Sequence, residues 1–466
     1  PGPRAHLHLA RRLTTMVSEL AHDFGDDFLW GAATAAHQVE GNNTNNDWWR
    51  WEQIPGKIAD GTRSGLACDH YNRFPEDFAQ WRGMGHNAHR LSLEWSRIEP
   101  RPGVYDSPAI DHYRQVLGTL LGLGMEPMVT LHHFTNPLWL ADIGGWESDE
   151  VVERFRLYAR HCIDALGDLA HLWVTINEPN VYAYHSYTAG LWPPQVKDFR
   201  ATTAVLRNMV RGHAAAYREI RESVHGAAAK VGVAQHLRVF QPWRPWSPFD
   251  RIAAALPHRA FNHWFLQACT DGWAGFPLGL RHRLPEALGT LDFIGVNYYS
   301  RDIVRFTPSA PGELFARTFP APGRPVSDYG MELYPPGLYR VIRDTWDRYR
   351  RPIYITENGV ADRVDQFRPA ALIGHLAEVA RAQREGIDIR GYLHWSSMDN
   401  FEWSEGFKMR FGLVAVDFET QERTPRPSAA LYSDVIRRNG LAWEQVQNFY
   451  PSGLPYFVGG ASSSSG

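Results

Sequence analysis

HLWVTINEP, residues 171–179, is a short apolar run closed by Asn177, Glu178 and Pro179. Far along the chain, RPIYITENG (351–359) repeats the arrangement and closes on Glu357, Asn358 and Gly359. Runs this short, rich in β-branched and aromatic residues, predict strands. Six more have the same character: FLWGAATA around Trp30, HRLSLEW around Leu91, EPMVTLHHF around Val129, KVGVAQH around Val233, LDFIGVNYY around Ile294 and IRGYLHWSS around Tyr392. Amphipathic stretches separate them at 107–124, 150–166, 201–224, 337–350 and 366–386. In the second, Val152, Phe155, Leu157, Tyr158, Cys162 and Leu166 keep roughly helical spacing. Strands alternating with helices predict a parallel sheet of the α/β class. Eight such units without a strong linker predict a closed (β/α)8 barrel with elaborated βα loops rather than an open sheet. No G-x-G-x-x-G follows a strand, so a dinucleotide fold has no support. RFGLVAVDFET (410–420) reads as an added hairpin.

Composition limits what the barrel can do. The chain has 466 residues, 44% of them apolar, and a net charge of −3. That balance excludes a disordered chain and gives no basic excess for nucleic acid. Mean hydropathy is −0.38, and no apolar run reaches the roughly 18 residues of a spanning helix, so no membrane partner is expected. Cys68, Cys162 and Cys269 are too few and scattered for a disulfide framework. A reduced, cytoplasmic location is the expectation. Residues 1–22 carry Arg4, Arg11 and Arg12 but no apolar core of a secretory signal. They read as an extension, with Met16 a candidate start. The single barrel domain is expected over 23–458, and 459–466 reads as a flexible tail.

In such a barrel the C-terminal ends of the strands converge on one face, where active sites sit. Those ends carry an unusual set. The first gives Gln38 and Glu40. The second gives Arg90, Glu94, Trp95 and Arg97. The third gives His132 and His133, and the fourth Asn177 and Glu178. The sixth gives Asn297, Tyr298 and Tyr299, and the seventh Glu357 and Asn358. The eighth gives Trp395, then Asp399, Asn400, Glu402 and Trp403. No end residue of the fifth strand is singled out.

Two carboxylates facing across one site are the equipment for cleaving glycosidic bonds. One must be protonated to donate to the leaving oxygen, and the other ionised to attack the anomeric carbon. Their environments should therefore push their pKa values apart. Glu178, in an apolar run beside Pro179, is the better acid. Glu357 would be held ionised by Arg90 if the second and seventh strand ends meet. Asn177 suits a sugar 2-hydroxyl; Gln38, His133 and Glu402 suit other hydroxyls. Trp395 and Trp403 suit the apolar face of a sugar ring. Adjacent residues on a strand point to opposite faces, so His132 and His133 do not make a metal pair, and no third ligand is evident.

These motifs spell a family. FLWGAATAAHQVEG (28–41), RLSLEWSRIEP (90–100), LHHF (131–134), TINEP (175–179), FIGVNYY (293–299), ITENG (355–359) and HWSSMDNFEWSEGFKMRFGL (394–413) occur in this order. The chain, from about Phe24 to Arg438, resembles the family-one glycoside hydrolases, the β-glucosidase and β-galactosidase group. The resemblance implies a retaining exo-β-glycosidase that needs no metal or organic cofactor. Glu178 would be its acid/base and Glu357 its nucleophile, oriented by Arg90. Gln38, His133, Asn177, Glu402 and Trp403 would bind the sugar, with Trp395 as platform. Asn297 and Tyr299 would complete the site, Tyr299 close to the nucleophile. The substrates implied are β-glucosides or short β-linked oligosaccharides, with side activity on β-fucosides and β-galactosides. Relatives acting on 6-phosphorylated sugars replace the Glu-Trp pair that is intact here as Glu402-Trp403. Phe411 stands where a phosphate-binding Tyr would be wanted. A transglycosylase using the same intermediate is an alternative. A non-catalytic sugar-binding relative is another, opposed by the presence of both glutamates.

Two departures concern the surroundings of the site. LHHFTNP lacks the Trp-Asp that many members carry after the His. GNNTNNDWWRWEQ (41–53) is rich in Asn and Trp and reads as part of the aglycone entrance, with packing on the barrel as its alternative. Trp243, Trp246 and Phe249 carry the same ambiguity.

Overall fold

Eight parallel strands close on themselves in the computed structural model, which describes residues 22–279 and 281–453. In chain order they are β1 Leu29–Ala33, β2 Ala88–Ser92, β3 Glu126–His132, β4 Leu172–Asn177, β5 Lys230–His236, β6 Phe293–Tyr298, β7 Ile353–Asn358 and β8 Ile389–Trp395. Each pairs with the next and β8 pairs with β1. All eight lie on the segments expected. The pairing is irregular at four points: between Val174 and Asn177, Val296 and Asn297, Ile353 and Tyr354, and Ile355 and Asn358. All but the one at Ile353 lie next to an Asn or Glu of the predicted site. Such irregularities re-aim side chains at the ends of strands.

The helices of the ring include Ser107–Gly122, Glu150–Leu166, Phe199–Glu222, Pro336–Tyr349 and Arg368–Arg384. Their starts are chemically marked. The Asp106 carboxylate accepts from the Ala109 amide, and Asp198 accepts from Arg200 and Ala201, satisfying donors that a helix leaves unpaired. The helix Glu150–Leu166 buries Val151, Phe155, Tyr158, Ala159, Cys162, Ile163 and Leu166. Leu157, expected on that stripe, is exposed. The stripe is set by the neighbouring helix Phe199–Glu222, which packs along it.

Inside the barrel every strand contributes to one plug: Leu29, Ala88, Met128, Leu172, Val174, Ala234, Phe293, Tyr354 and Leu393. This apolar plug fills the interior beneath the C-terminal face, so ligands have access from that face alone. A larger cluster lies between strands and helices and takes in Trp30, Trp81, Trp95, Trp146 and Trp173. Most of the tryptophan is therefore core. A small sheet, Ala316–Phe319, Arg301–Phe306 and Val239–Pro242, is built from the loops after β5 and β6. The expected hairpin lies slightly later than 410–420, pairing Val414–Val416 with Arg423–Pro425.

His22–Asp23 pairs antiparallel with Gly440–Leu441, so His22 belongs to the body and not to the extension. Residues 1–21 and the tail 459–466 lie outside the described residues. Cys68, Cys162 and Cys269 are buried and unpaired. Among the described residues no helix is long and apolar enough to cross a membrane.

Buried histidine is a second property of this core. Burial pushes His37, His86 and His375 down to about 3 and His132 and His213 to about 4. It also pushes His89, His133 and His394 well below the usual range. All are neutral when folded and free to protonate, near pH 6.5, when unfolded. Their contribution to stability is complete above that pH and is lost as pH falls toward the folded values. The slope is about 1.4 kcal/mol per pH unit for each group. Asp47, Glu52 and Glu357, raised by burial to about 7, and Glu402, raised to about 8, act in the opposite sense and gain on acidification. The histidines outnumber them. Urea midpoints measured from pH 8 to 4.5 should peak near neutrality and fall steeply below about pH 6. A flat profile over that range would mean that these imidazoles are not neutral in the native protein.

Candidate active site

The predicted residues of seven strand ends come together. β4 ends at Asn177, and Glu178 follows in the left-handed region at φ 44°, ψ 57°. This backbone is uncommon for a residue with a side chain. It starts a short helix, Pro179–Ala183, and turns the Glu178 carboxyl toward the cavity. Glu357 lies within β7 and is 3% exposed. Arg90, from β2 and 1% exposed, spans both. Its Nη1 donates to Glu357 Oε1 at 2.7 Å and its Nη2 to Asn177 Oδ1 at 2.6 Å. Nε donates to Thr130 Oγ1 at 3.1 Å. Tyr299 OH donates to the other Glu357 oxygen, Oε2, at 2.6 Å. Glu357 is thus gripped on both oxygens, by a guanidinium and a phenol.

Glu178 is held differently. Its Oε1 accepts from Asn297 Nδ2 at 2.9 Å and faces His236 Nδ1 at 3.3 Å. Asn297 also donates to Asn177 Oδ1 at 3.1 Å and accepts from Thr356 Oγ1 at 2.6 Å. Asn177 Nδ2 lies 3.1 Å from His133 Nε2. The residues expected to read sugar hydroxyls therefore also tie β3, β4, β6 and β7 into one network.

Gln38, from the short helix after β1, donates to Glu402 Oε2 at 3.2 Å and to the Phe401 carbonyl at 2.8 Å. Its Oε1 is buried without a protein partner. Trp403 is stacked on His133, with ring centres 5.9 Å apart and planes at 17°. Trp395 stacks on the same imidazole at 5.9 Å and 21°. Trp48 packs against Trp403 at 4.8 Å.

A cavity of about 440 Å³ opens over this network, lined by His133, Asn177, Glu178, Tyr299, Glu357, Trp395, Glu402 and Trp403 among others. Gln38, Arg90 and Asn297 stand behind these as supports. The outer half has Tyr184, Phe240, Arg238, Asp302, Leu314 and Tyr329 in its wall. Apart from Tyr184, which follows the helix Pro179–Ala183, these come from the small sheet and its loops, which the sequence reading did not place near the site. The 41–53 loop is a correction. It forms the helix Asp47–Glu52 with Trp48 and Trp51 buried, and it buttresses Trp403 instead of forming the entrance. Trp243, Trp246 and Phe249 are 41%, 77% and 63% exposed and do not line the cavity. His236 was missed because the end of β5 carries no dense polar motif; its position as the last residue of KVGVAQH was the available signal.

The two carboxyls are pushed apart in the sense opposite to that expected. Burial raises Glu357 to about 7, opposed by the Arg90 charge and helped by the charge of Glu178. Burial raises Glu178 too, but the His236 imidazole and the Asn297 amide more than offset it and hold it below its usual value. Two interacting acids share their protons as a pair. A charged His236 keeps the proton off Glu178. A neutral one removes that attraction, while Arg90 and Tyr299 still favour charge on Glu357. Glu402 is raised to about 8 by burial and the nearby Glu357 charge.

His132 faces away from the site, bonding Trp146 Nε1 at 3.1 Å and Asn136, as expected of the opposite strand face. One cluster elsewhere, His258, His263 and Asp344, has its polar atoms within 4.8 Å. There Asn262 Nδ2 donates to His258 Nδ1, which leaves the hydrogen on Nε2, and Arg348 pairs with Asp344 at 2.8 Å. That is an ion-pair arrangement, not a cation site.

A barrel whose strand ends bring a guanidinium-held glutamate and a second glutamate into one sugar-sized cavity defines a glycoside hydrolase. The family model Glycosyl hydrolase family 1 matches residues 20–441, and the chain belongs to that family, whose β-glucosidase-type members it resembles throughout. It is 34% identical to beta-glucosidase A of Thermotoga maritima over 446 residues, 90% of this chain and 98% of that one. A beta-glycosidase from Pyrococcus horikoshii superposes with a TM-score of 0.85 at 38% identity, covering 92% of this chain and 98% of the other. The Thermotoga maritima beta-glucosidase in complex with galacto-hydroximolactam gives 0.85 at 32% identity, covering 90% and 100%.

Proposed function

We propose that this protein is a retaining exo-β-glycosidase that removes terminal, unphosphorylated β-D-glucosyl residues and also accepts β-fucosyl and β-galactosyl groups. The observation that carries the reading is the unequal grip on the two glutamates. Glu357 is fixed by Arg90 and Tyr299 as a carboxylate aimed into the cavity. Glu178 keeps Oε2 without a donor among the described residues. In the first step Glu357 attacks the anomeric carbon as the glycosidic C–O bond breaks, and Glu178 gives its proton to the departing oxygen. In the second, Glu178 as carboxylate takes a proton from water, whose oxygen attacks the anomeric carbon and releases Glu357. Natural substrates are β-glucosides or short β-linked oligosaccharides, and the three buried free cysteines favour a reducing, cytoplasmic location.

Glu402 supports tolerance at carbon 4, since one carboxyl can serve neighbouring hydroxyls at carbons 4 and 6. A phosphate at carbon 6 is disfavoured because the buried Glu402 carboxyl offers it no counter-charge, and Lys408 is exposed and does not line the cavity. Initial rates on p-nitrophenyl β-glucoside, β-fucoside, β-galactoside, β-mannoside, β-xyloside and 6-phospho-β-glucoside test this. Glucoside and fucoside should lead, and the 6-phospho sugar should react at least about 100-fold more slowly than glucoside. Comparable rates on the phosphorylated sugar would overturn the specificity, and no cleavage of any would overturn the activity.

A further inference from the structure

The end of β5 supplies a residue that the reaction scheme above does not use. His236 is the last residue of that strand, and its side chain is 12% exposed. Its main-chain carbonyl is fixed by Asn180 Nδ2 at 2.8 Å. Its ring is clamped between Phe261 and Tyr299, each with ring centres 5.5 Å away. This orients Nδ1 toward Glu178 Oε1 at 3.3 Å, while Nε2 is buried without a protein partner. Asn297 Nδ2 donates to the same oxygen from the other side at 2.9 Å. A carboxyl oxygen has two lone pairs; Asn297 fills one, and Nδ1 is the group within reach of the other.

We infer that His236 is a positioning residue for the acid/base step: its Nδ1–H and the Asn297 amide together occupy Glu178 Oε1, which confines the transferable proton to Oε2. The inference rests on the assignment of Glu178 as acid/base. In this role His236 presents the hydrogen of Nδ1 to Glu178. His185, Arg238 and, beyond Arg238, Asp302 lie on its outer side, and Tyr299 and Glu178 on its inner side. Arg238 pairs with Asp302 at 3.0 Å, which leaves Glu178 as the carboxyl within reach of Nδ1. A donor at Oε1 also stabilises the carboxylate that Glu178 becomes after proton transfer. The residue therefore serves both halves of the cycle through Glu178.

The test compares His236→Phe, which keeps a ring but has no donor, with His236→Asn, which keeps a donor but cannot titrate. The reading is kcat/KM on 2,4-dinitrophenyl β-glucoside, whose leaving group needs no proton, and on phenyl β-glucoside, whose leaving group does. For His236→Phe the phenyl substrate should lose about tenfold or more while the dinitrophenyl substrate stays within about twofold. The alkaline limb for the phenyl substrate should move to higher pH, because Glu178 loses a donor to its charged form. His236→Asn should restore both the rate and the limb. Equal losses on the two substrates, or an unmoved alkaline limb, would overturn the inference. If the Phe variant does not fold, His236→Ala carries the same comparison. Failure of the underlying assignment has a separate signature. Glu178→Ala would then show no leaving-group dependence, whatever His236 variants do.

Discussion

Glu357→Gln should lower kcat/KM on every glycoside by about 1,000-fold or more while leaving the fold intact. The amide has the shape of the carboxylate and can still accept from Tyr299 OH, which donates to Oε2 at 2.6 Å. It cannot attack the anomeric carbon, and it leaves the buried Arg90 charge without its partner at 2.7 Å. The loss should therefore appear equally for good and poor leaving groups. Intact-protein mass spectrometry after exposure to a slow 2-fluoro-glucoside separates nucleophile from bystander. The native protein should gain one glycosyl mass and the variant none. A variant that still acquires the label, or that keeps near-native turnover, would place the nucleophile elsewhere.

Glu178→Ala is the second large effect, and its form differs. Loss of the general acid costs about 100- to 10,000-fold where the leaving group must be protonated. With 2,4-dinitrophenyl β-glucoside the first step should be nearly unimpaired, so the glycosyl-enzyme accumulates and a burst precedes slow turnover. Azide should then restore turnover, because the small anion attacks the intermediate without needing a base, and the product should be β-glucosyl azide. The cavity left by the missing side chain lies beside Asn297 and His236 and gives azide room. No burst and no rescue would count against Glu178.

The fold was legible because it is written in local patterns. Each barrel strand is a short apolar run with its own boundary, and alternation with helical stripes leaves few topologies. The two glutamates of the candidate site were legible for the same reason: TINEP and ITENG put acids directly at strand ends. Arg90 was expected to hold Glu357 on condition that the second and seventh strand ends meet, and the 2.7 Å contact meets that condition. What escaped depends on long-range packing. The outer wall with Phe240, Arg238 and Asp302 forms only when segments near 240, 303 and 317 pair as a sheet, and no local periodicity announces that. Trp48 and Trp51 looked like entrance residues because exposed and buried tryptophan have the same letter. His236 was hidden by its ordinary neighbours, and with it the reason that the acidities of the two glutamates are shifted in the unexpected sense.

Three residues in the cavity wall, Phe134, Glu178 and Trp403, adopt left-handed backbone at φ 71°, 44° and 49°. Each such conformation costs about 1–2 kcal/mol for a residue with a side chain. Glycine or asparagine would sit there with less backbone strain, whereas an amide at Glu357 would strand the buried Arg90 charge. Backbone ease and chemistry are opposed at Glu178, where the strained conformation is what turns the carboxyl into the cavity.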